Sequence, residues 1–390
     1  MGGMAVWTKS EWERECFPGD ERADPQQAES SAKIPVLSSG KCGRLLLYGA
    51  GYGGQIFLEL LRGCGVEPEG FLDASPQKRG RAVMGLPVYA PEKEWVEGAA
   101  VVVCLLRMDE GYEEIKRRLA SLGCRLVCHM YELREDRRLF QNQPLIFSPD
   151  RELLWTNREQ LYRVYQLLED DASRDTLTAV LRFLWGRLHE PIPALPMEEQ
   201  YFADIYHPGA EEVFVDCGAH VGEIFCQFLQ RTEGNFGAYW AFEPDLRNVH
   251  ALEKAIPDEC RSRVHIKCLA LGEKPETVRV RNYDGNNSLV RPDGDQTAAC
   301  VPLDSFWPEL RPTHLKVDVE GWENSLLRGA RTMICKEKPL ISIAVYHNEA
   351  DFWTIPLCLK QWVPEYRFYL RSYLNVAETV LYAVPPAYMR

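Results

Sequence analysis

An α/β fold with two parallel-sheet domains joined by a helical connector is predicted for this chain of 390 residues, and three observations predict it. A compact apolar run at residues 45–48 delivers the stretch Gly49-Ala50-Gly51-Tyr52-Gly53-Gly54 into a helical pattern. A second run at residues 213–222, Val-Phe-Val-Asp-Cys-Gly-Ala-His-Val-Gly, again leads into a helical pattern, here Ile224, Phe225 and Phe228. Between them, Leu161, Val164, Tyr165 and Leu168, then Leu177, Val180, Leu181 and Leu184, keep the i, i+3, i+4, i+7 spacing of helices with one apolar face. Strand, tight glycine loop and helix in that order make a Rossmann-like unit, whose loop lies at the strand's carboxyl end.

Composition narrows the classes of function. A 46% apolar fraction with 26% charged residues is that of a globular protein, and no run is long enough to span a bilayer. Glu11, Glu13, Arg14, Glu15 and Asp20 interrupt any apolar stretch near the N-terminus, so no secretory signal and a cytoplasmic location are expected. A formal charge of −12 argues against a nucleic-acid partner, because affinity for phosphate backbones comes from excess Lys and Arg. The cysteines number 13 without a Cys-x-x-Cys pair, which reads as free thiols rather than a disulfide or zinc framework.

In chain order, residues 1–40 form an N-terminal extension with one short helix expected at 7–16. Residues 41–144 form the first Rossmann-like domain. Its glycines 49, 51 and 54 satisfy the Gly-x-Gly-x-x-Gly spacing between strand and helix, and Asp73 ends the next strand, as a nucleotide-binding fingerprint asks. Further strands are expected at 99–106 and 125–128, with a helix at 112–122. Residues 71–73 (Phe-Leu-Asp), Lys78, Gly80 and 85–88 (Gly-Leu-Pro-Val) resemble the small nucleotide-binding domains of bacterial sugar acyltransferases. That resemblance implies Gly49, Gly51, Gly54 and Asp73 as residues toward a nucleotide-sugar, or toward NAD. The same glycines also serve simple packing of helix on strand. Residues 145–205 are the helical connector, broken near residues 170–173 with Ser173 as an N-cap, and ended by Pro191, Pro193 and Pro196.

Residues 206–390 form the second domain. Asp216 at the tip of its first strand sets this loop apart, since a loop holding pyrophosphate gains nothing from a carboxylate there and a cationic cofactor does. S-adenosyl-L-methionine, with its sulfonium and ammonium groups, is such a cofactor. Residues 238–244 form a second strand ending in Glu243-Pro244, whose carboxylate can accept from both hydroxyls of a ribose. Strands are expected at 264–271 and 277–282, followed by a polar loop at 283–295 holding Asn286, Asn287 and Ser288. The run His314-Leu315-Lys316-Val317-Asp318-Val319-Glu320-Gly321-Trp322-Glu323 ends a strand with two carboxylates, and the strand after it ends at His347. Adjacent parallel strands bring His347 near Asp318 and Glu320. Two antiparallel strands at 366–373 and 379–384 close the sheet edge, an arrangement characteristic of Rossmann-like methyltransferases.

The motifs at 215–222, 242–245 (Phe-Glu-Pro-Asp), 270–272 (Ala-Leu-Gly), 302–306 (Pro-Leu-Asp-Ser-Phe) and 315–323 together resemble the FkbM family of methyltransferases. The resemblance covers the C-terminal half and implies a class I methyltransferase fold, S-adenosyl-L-methionine as cofactor, and O-methylation of a hydroxyl on a sugar, glycan or other small molecule. It implies cofactor contacts at Asp216, Gly218, Ala219, His220, Gly222, Glu243, Pro244, Ser288 and Asp318, and a methyl-transfer side at Asp318, Glu320 and His347. Tyr346-His347 departs from members that carry a carboxylate before the histidine, which leaves the base open between His347 and Asp318. A third arrangement has Asp318, Glu320 and His347 holding a divalent cation. Two other function classes fit parts of the chain: a non-catalytic nucleotide-sugar or cofactor-binding scaffold, and an NAD-dependent oxidoreductase built on residues 49–54. Neither uses Asp216 together with the acids at 318 and 320. A homodimer is compatible with the sequence.

Overall fold

The computed structural model describes residues 6–17, 44–105, 110–133, 149–186, 190–203, 205–283, 287–290, 294, 296–374 and 376–388. The chain divides into two compact units, Ser10–Glu152 with Thr178–Ile192, and Met1–Lys9 with Leu153–Leu177 and Pro193–Arg390.

The first unit holds β1 (Leu45–Tyr48), β2 (Gly70–Leu72), β3 (Ala82–Val83), β4 (Leu86–Tyr89), β5 (Ala100–Val103) and β6 (Leu126–His129), in the order β3-β4-β2-β1-β5-β6. β1 pairs in parallel with both β2 and β5. All residues of β1, β2 and β5 are buried, as unbroken apolar strands of a parallel sheet require. The helix Tyr52–Gly63 follows the glycine loop, and it seats this close to β1 because Gly54 has no side chain. A Cβ there would lie 1.9 Å from the Gly49 carbonyl oxygen.

The second unit holds β7 (Val213–Cys217), β8 (Ala238–Phe242), β9 (Val264–Lys267), β10 (Ala270–Leu271), β11 (Glu276–Tyr283), β12 (Asn287–Val290), β13 (Gln296–Val301), β14 (His314–Val317), β15 (Leu340–Ala344), β16 (Arg367–Leu374) and β17 (Ala377–Val384). Seven of them form a sheet in the order β16-β17-β15-β14-β7-β8-β9. Pairing is parallel from β15 to β9 and antiparallel at β15–β17 and β16–β17. This is a Rossmann-like sheet closed by the terminal antiparallel hairpin that the sequence predicts. The chain runs outward from β7 through β8 and β9, then resumes on the other side at β14, so the strand order switches between β7 and β14. Ligands of open α/β sheets bind at the carboxyl ends beside such a switch. Phe214 and Tyr239 stack at 5.4 Å between centroids, and Phe225 and Phe228 of the helix Glu223–Arg231 cover them. Each such ring, fully removed from water, contributes about 2 kcal/mol.

Three expectations are corrected. Residues 264–271 are two strands, because Leu269 N–H turns back onto the Lys267 carbonyl and β10 leaves to pair with β13. It joins a separate four-stranded sheet, β10-β13-β11-β12. The stretch 283–295, expected as a polar loop, contains β12 paired antiparallel with β11, while Asn286 lies outside the described residues. Ser173 does not cap its helix from the first position. Asp170 Oδ1 accepts the Ser173 amide at 2.8 Å, and the buried Ser173 hydroxyl instead accepts from Leu370 N–H and Arg371.

Candidate functional site

Both glycine loops are clasped in one way. Gly49 N–H donates to Leu72 O and Gly218 N–H to Phe242 O, tying each loop to the tip of the second strand. The acid after that tip then accepts two amides. Asp73 takes Ala50 N–H at 2.9 Å and Ser75 N–H at 2.8 Å, and Glu243 takes His220 N–H at 3.0 Å and Asp245 N–H at 2.9 Å. Asn248 adds a third donor to Glu243, at 3.3 Å. Burial raises the Glu243 carboxyl above its ordinary value, although these amide contacts work the other way. A carboxylate offers about four lone-pair sites, so one remains on Glu243, enough for one hydroxyl rather than the two expected.

The C-terminal loop is distinguished by what stands behind it. Asp216 is wholly buried, with its Oδ1 2.9 Å from Lys316 Nζ and its other oxygen accepting from the Tyr239 hydroxyl. The cation that meets this carboxylate in the structure is thus Lys316. Burial works against charge on Lys316, yet Asp216 and Asp318 outweigh it and hold the ammonium above its ordinary value. Lys316 also donates to Gly218 O at 2.6 Å. The loop is therefore fixed from below by a charged pair and in front by Asp318. A Cβ on Gly218, whose φ is +84°, would lie 1.8 Å from the Asp318 carbonyl oxygen. Ala219 is buried and its amide donates to Phe242 O. Gly222 caps the helix that follows at φ +98°. Pro244 is half-buried where β8 ends. Ser288 pairs with Asn282 in β12, and its side chain lies outside the described residues.

Parallel pairing of β14 with β15 brings the three expected reactive groups together. His347 Nε2 lies 3.3 Å from Glu320 Oε2 and 3.8 Å from Asp318 Oδ1. On the other side of the ring, Nδ1 is 2.9 Å from Glu323 Oε1. Glu323 is fully buried and held in place by the amides of Val319 and Gly321. Burial by itself lowers the His347 imidazole, but Glu323 and Glu320 overcome that and hold it well above its ordinary value.

Two more groups complete this wall. The Tyr201 hydroxyl donates to Asp318 Oδ2 at 2.6 Å, and burial followed by Asp318 keeps that phenol protonated, far above its usual range. Glu378, at the start of β17, accepts from Gln200 at 2.5 Å and from Tyr346 at 3.3 Å. Its carboxyl is pushed up to about 7, first by burial and next by Asp318. Tyr201, His220, Glu320 and Glu378 all have positive φ, between 49° and 66°. Side chains other than glycine adopt that conformation at a cost and gather in it at functional sites.

The sequence of this region has a family. Residues 216–376 match the family described as the methyltransferase FkbM domain. Over those residues the chain is similar to that family. The family match begins at Asp216 and takes in every site residue described above on β7, β8, β14 and β15, but neither Tyr201 nor Glu378. A solved structure of methyltransferase FkbM from Methylobacillus flagellatus KT is similar over 96% of this chain and 98% of that one, with a TM-score of 0.71 and 22% identity. At that identity the likeness is one of fold. Aeropyrum pernix fibrillarin in complex with natively bound S-adenosyl-L-methionine covers 55% of this chain and 76% of that one, at 11% identity and a TM-score of 0.27. The precorrin-6y C5,15-methyltransferase of Geobacter metallireducens GS-15 covers 45% and 80%, also at 11% and 0.27. No curated protein matches the sequence. No helix among the described residues is long and apolar enough to cross a membrane.

Sequence reasoning missed Lys316, Glu323, Tyr201, Tyr239 and Glu378. Lys316 and Glu323 stand inside the FkbM motif at 315–323, so a signal existed. Tyr201 reaches Asp318 from 117 positions away and Glu378 depends on the hairpin, and neither has a local signature.

Proposed function

We propose that the protein is an S-adenosyl-L-methionine-dependent methyltransferase that O-methylates a hydroxyl of a sugar, glycan or nucleotide-sugar-derived small molecule. The observation that carries the reading is contiguity: the glycine loop at Gly218 packs directly on Asp318, the first of the acids facing His347. A donor site and a proton-accepting site thus share one backbone contact.

The residues present suit the cofactor. Glu243 retains one lone-pair site for a ribose hydroxyl, and Leu246 beside it is 51% exposed, an apolar surface where a purine can lie. The absence of a Cβ at Gly218 leaves room for the Asp318 carbonyl, which seats the loop against the acids facing His347. When bound, the cofactor supplies a methyl group already activated on a sulfonium, so the protein's task is alignment, exclusion of water and uptake of one proton. His347 in its neutral form is the proton acceptor we assign, a form that Glu323 and Glu320 make scarce at neutral pH, with Asp318 as the alternative. Glu323 orients the ring, and Tyr201 holds Asp318 in place. For the N-terminal unit we retain nucleotide-sugar binding at Gly49, Gly51, Gly54 and Asp73 as a proposal. Its support is Lys78 Nζ, 3.4 Å from Asp73 and 3.5 Å from where a Cβ on Gly51 would lie.

A thermal-shift series with S-adenosylmethionine, S-adenosylhomocysteine, NAD and UDP-sugars tests this, because a ligand of the folded state raises its apparent stability. Stabilisation by both S-adenosyl compounds is expected. A shift with NAD alone would favour an oxidoreductase and remove the methyltransferase reading.

A further inference from the structure

The cluster at the ends of β14 and β15 has a feature that proton transfer alone does not require. Asp318, Glu320 and His347 each present one ligand atom, and these atoms lie within 4.8 Å of one another. His347 Nε2 and Asp318 Oδ1 face each other at 3.8 Å, both are buried, and neither makes an aligned hydrogen bond. The opposite ring nitrogen lies 2.9 Å from Glu323, a fully buried carboxylate itself fixed by two backbone amides, and like Nε2 it makes no aligned hydrogen bond. A buried carboxylate behind one imidazole nitrogen, with the other nitrogen turned toward carboxylate oxygens, is the supporting arrangement of a metal-bound histidine. Tyr201 does the same for Asp318, engaging Oδ2 and leaving Oδ1 toward the ring. Glu320 is held with φ +56°, a strained conformation that brings its carboxylate to 3.3 Å from Nε2.

We propose that Asp318 Oδ1, Glu320 Oε2 and His347 Nε2 form a binding site for one divalent cation of the Mn2+ type, with Glu323 and Tyr201 orienting its ligands. Two carboxylate oxygens and one imidazole suit a borderline-hard ion with open positions, which oxygens of a hydroxylated acceptor can take. The inference rests on the reading that this cluster faces the acceptor. It adds that in the loaded protein the ion holds the Nε2 electron pair, so His347 serves as ligand and not as base, and the acceptor hydroxyl, acidified by the ion, gives its proton to solvent.

The test is a Mn2+ titration of the full chain after dialysis against a chelator, with free Mn2+ followed by electron paramagnetic resonance. One ion per chain is expected, with affinity at least tenfold weaker in Asp318→Asn and in Glu320→Gln and unchanged in Glu365→Gln, a surface carboxylate remote from the cluster in sequence. Circular dichroism checks that each variant is folded, and the partly exposed Glu320 keeps the test usable if an Asp318 variant does not fold. No bound Mn2+ at millimolar concentration, or equal affinity in wild type, Asp318→Asn and Glu320→Gln, overturns the site. Titrating the same samples with S-adenosylhomocysteine separates the two claims. Binding of that compound without Mn2+ removes the metal site alone, whereas Mn2+ binding without it upholds the site and removes the methyl-donor reading.

Discussion

The two glycine loops of this chain share their mechanics and differ in their surroundings. In each, a loop amide is tied to the last carbonyl of the neighbouring strand, and the acid beyond that strand clasps the loop. The loop at Gly49 follows Tyr48 and faces Leu105, whose side chain would lie 3.4 Å from a Cβ on Gly49. The loop at Gly218 follows an acid, rests on a buried Asp216–Lys316 pair and faces Asp318. The clasp is therefore a device of the fold, shared by both loops. What separates them is the charged groups on the strands across the switch point.

The comparison can be broken most severely at the glycines. Gly218→Ala drives a Cβ into the Asp318 carbonyl at positive φ and is expected to cost on the order of 4 kcal/mol. Gly51→Ala meets only the flexible end of Lys78 and should cost under about 1 kcal/mol. Urea denaturation of both variants measures the gap, and equal losses would show that the two loops are not built as described. Next comes the buried pair, which the N-terminal loop lacks. Lys316→Met strands the Asp216 charge in a fully buried position, with an expected loss of about 3–5 kcal/mol. Adding Asp216→Leu should restore part of it, and a double variant no more stable than the single would count against the pairing.

The clasps themselves come third. Glu243→Gln and Asp73→Asn each weaken charge-assisted bonds to backbone amides, for about 2 kcal/mol apiece. Equal stability losses with unequal loss of S-adenosylhomocysteine affinity, confined to Glu243→Gln, would sharpen the contrast between a clasp and a binding site. The smallest effect is a pH slope. Burial lowers the His314 imidazole on β14 to about 3, so the folded chain keeps it neutral. The unfolded chain takes up that proton below about pH 6.5, so its contribution is full above that value and falls by about 1.4 kcal/mol per pH unit down to the folded value. Unfolding free energies at pH 7, 6 and 5 for wild type and His314→Gln should converge as pH falls, and parallel curves would contradict it.

Much of this was legible beforehand because it is local. Apolar runs ending in glycine loops place β1 and β7, and acids at strand tips place Asp73, Glu243 and Asp318. The closeness of His347 to Asp318 and Glu320 followed from parallel order alone. Illegible were contacts set by long-range register. Glu378 reaches the site only because β17 pairs antiparallel with β15, and Tyr201 only through its bond to a residue 117 positions on. The partner of Asp216 was misjudged for a related reason: a lysine inside an apolar strand reads as an interruption until β14 is placed beside β7, where Lys316 and Asp216 are in register. The small sheet β10-β13-β11-β12 escaped notice because its strands flank polar segments that read as turns.

Calorimetric titration of the full chain with S-adenosylhomocysteine tests the central claim most directly. One molecule bound per chain is expected, with affinity falling at least tenfold in Glu243→Gln and unchanged in Asp73→Asn. No binding, or binding lost in Asp73→Asn and kept in Glu243→Gln, would place the cofactor elsewhere and contradict the account.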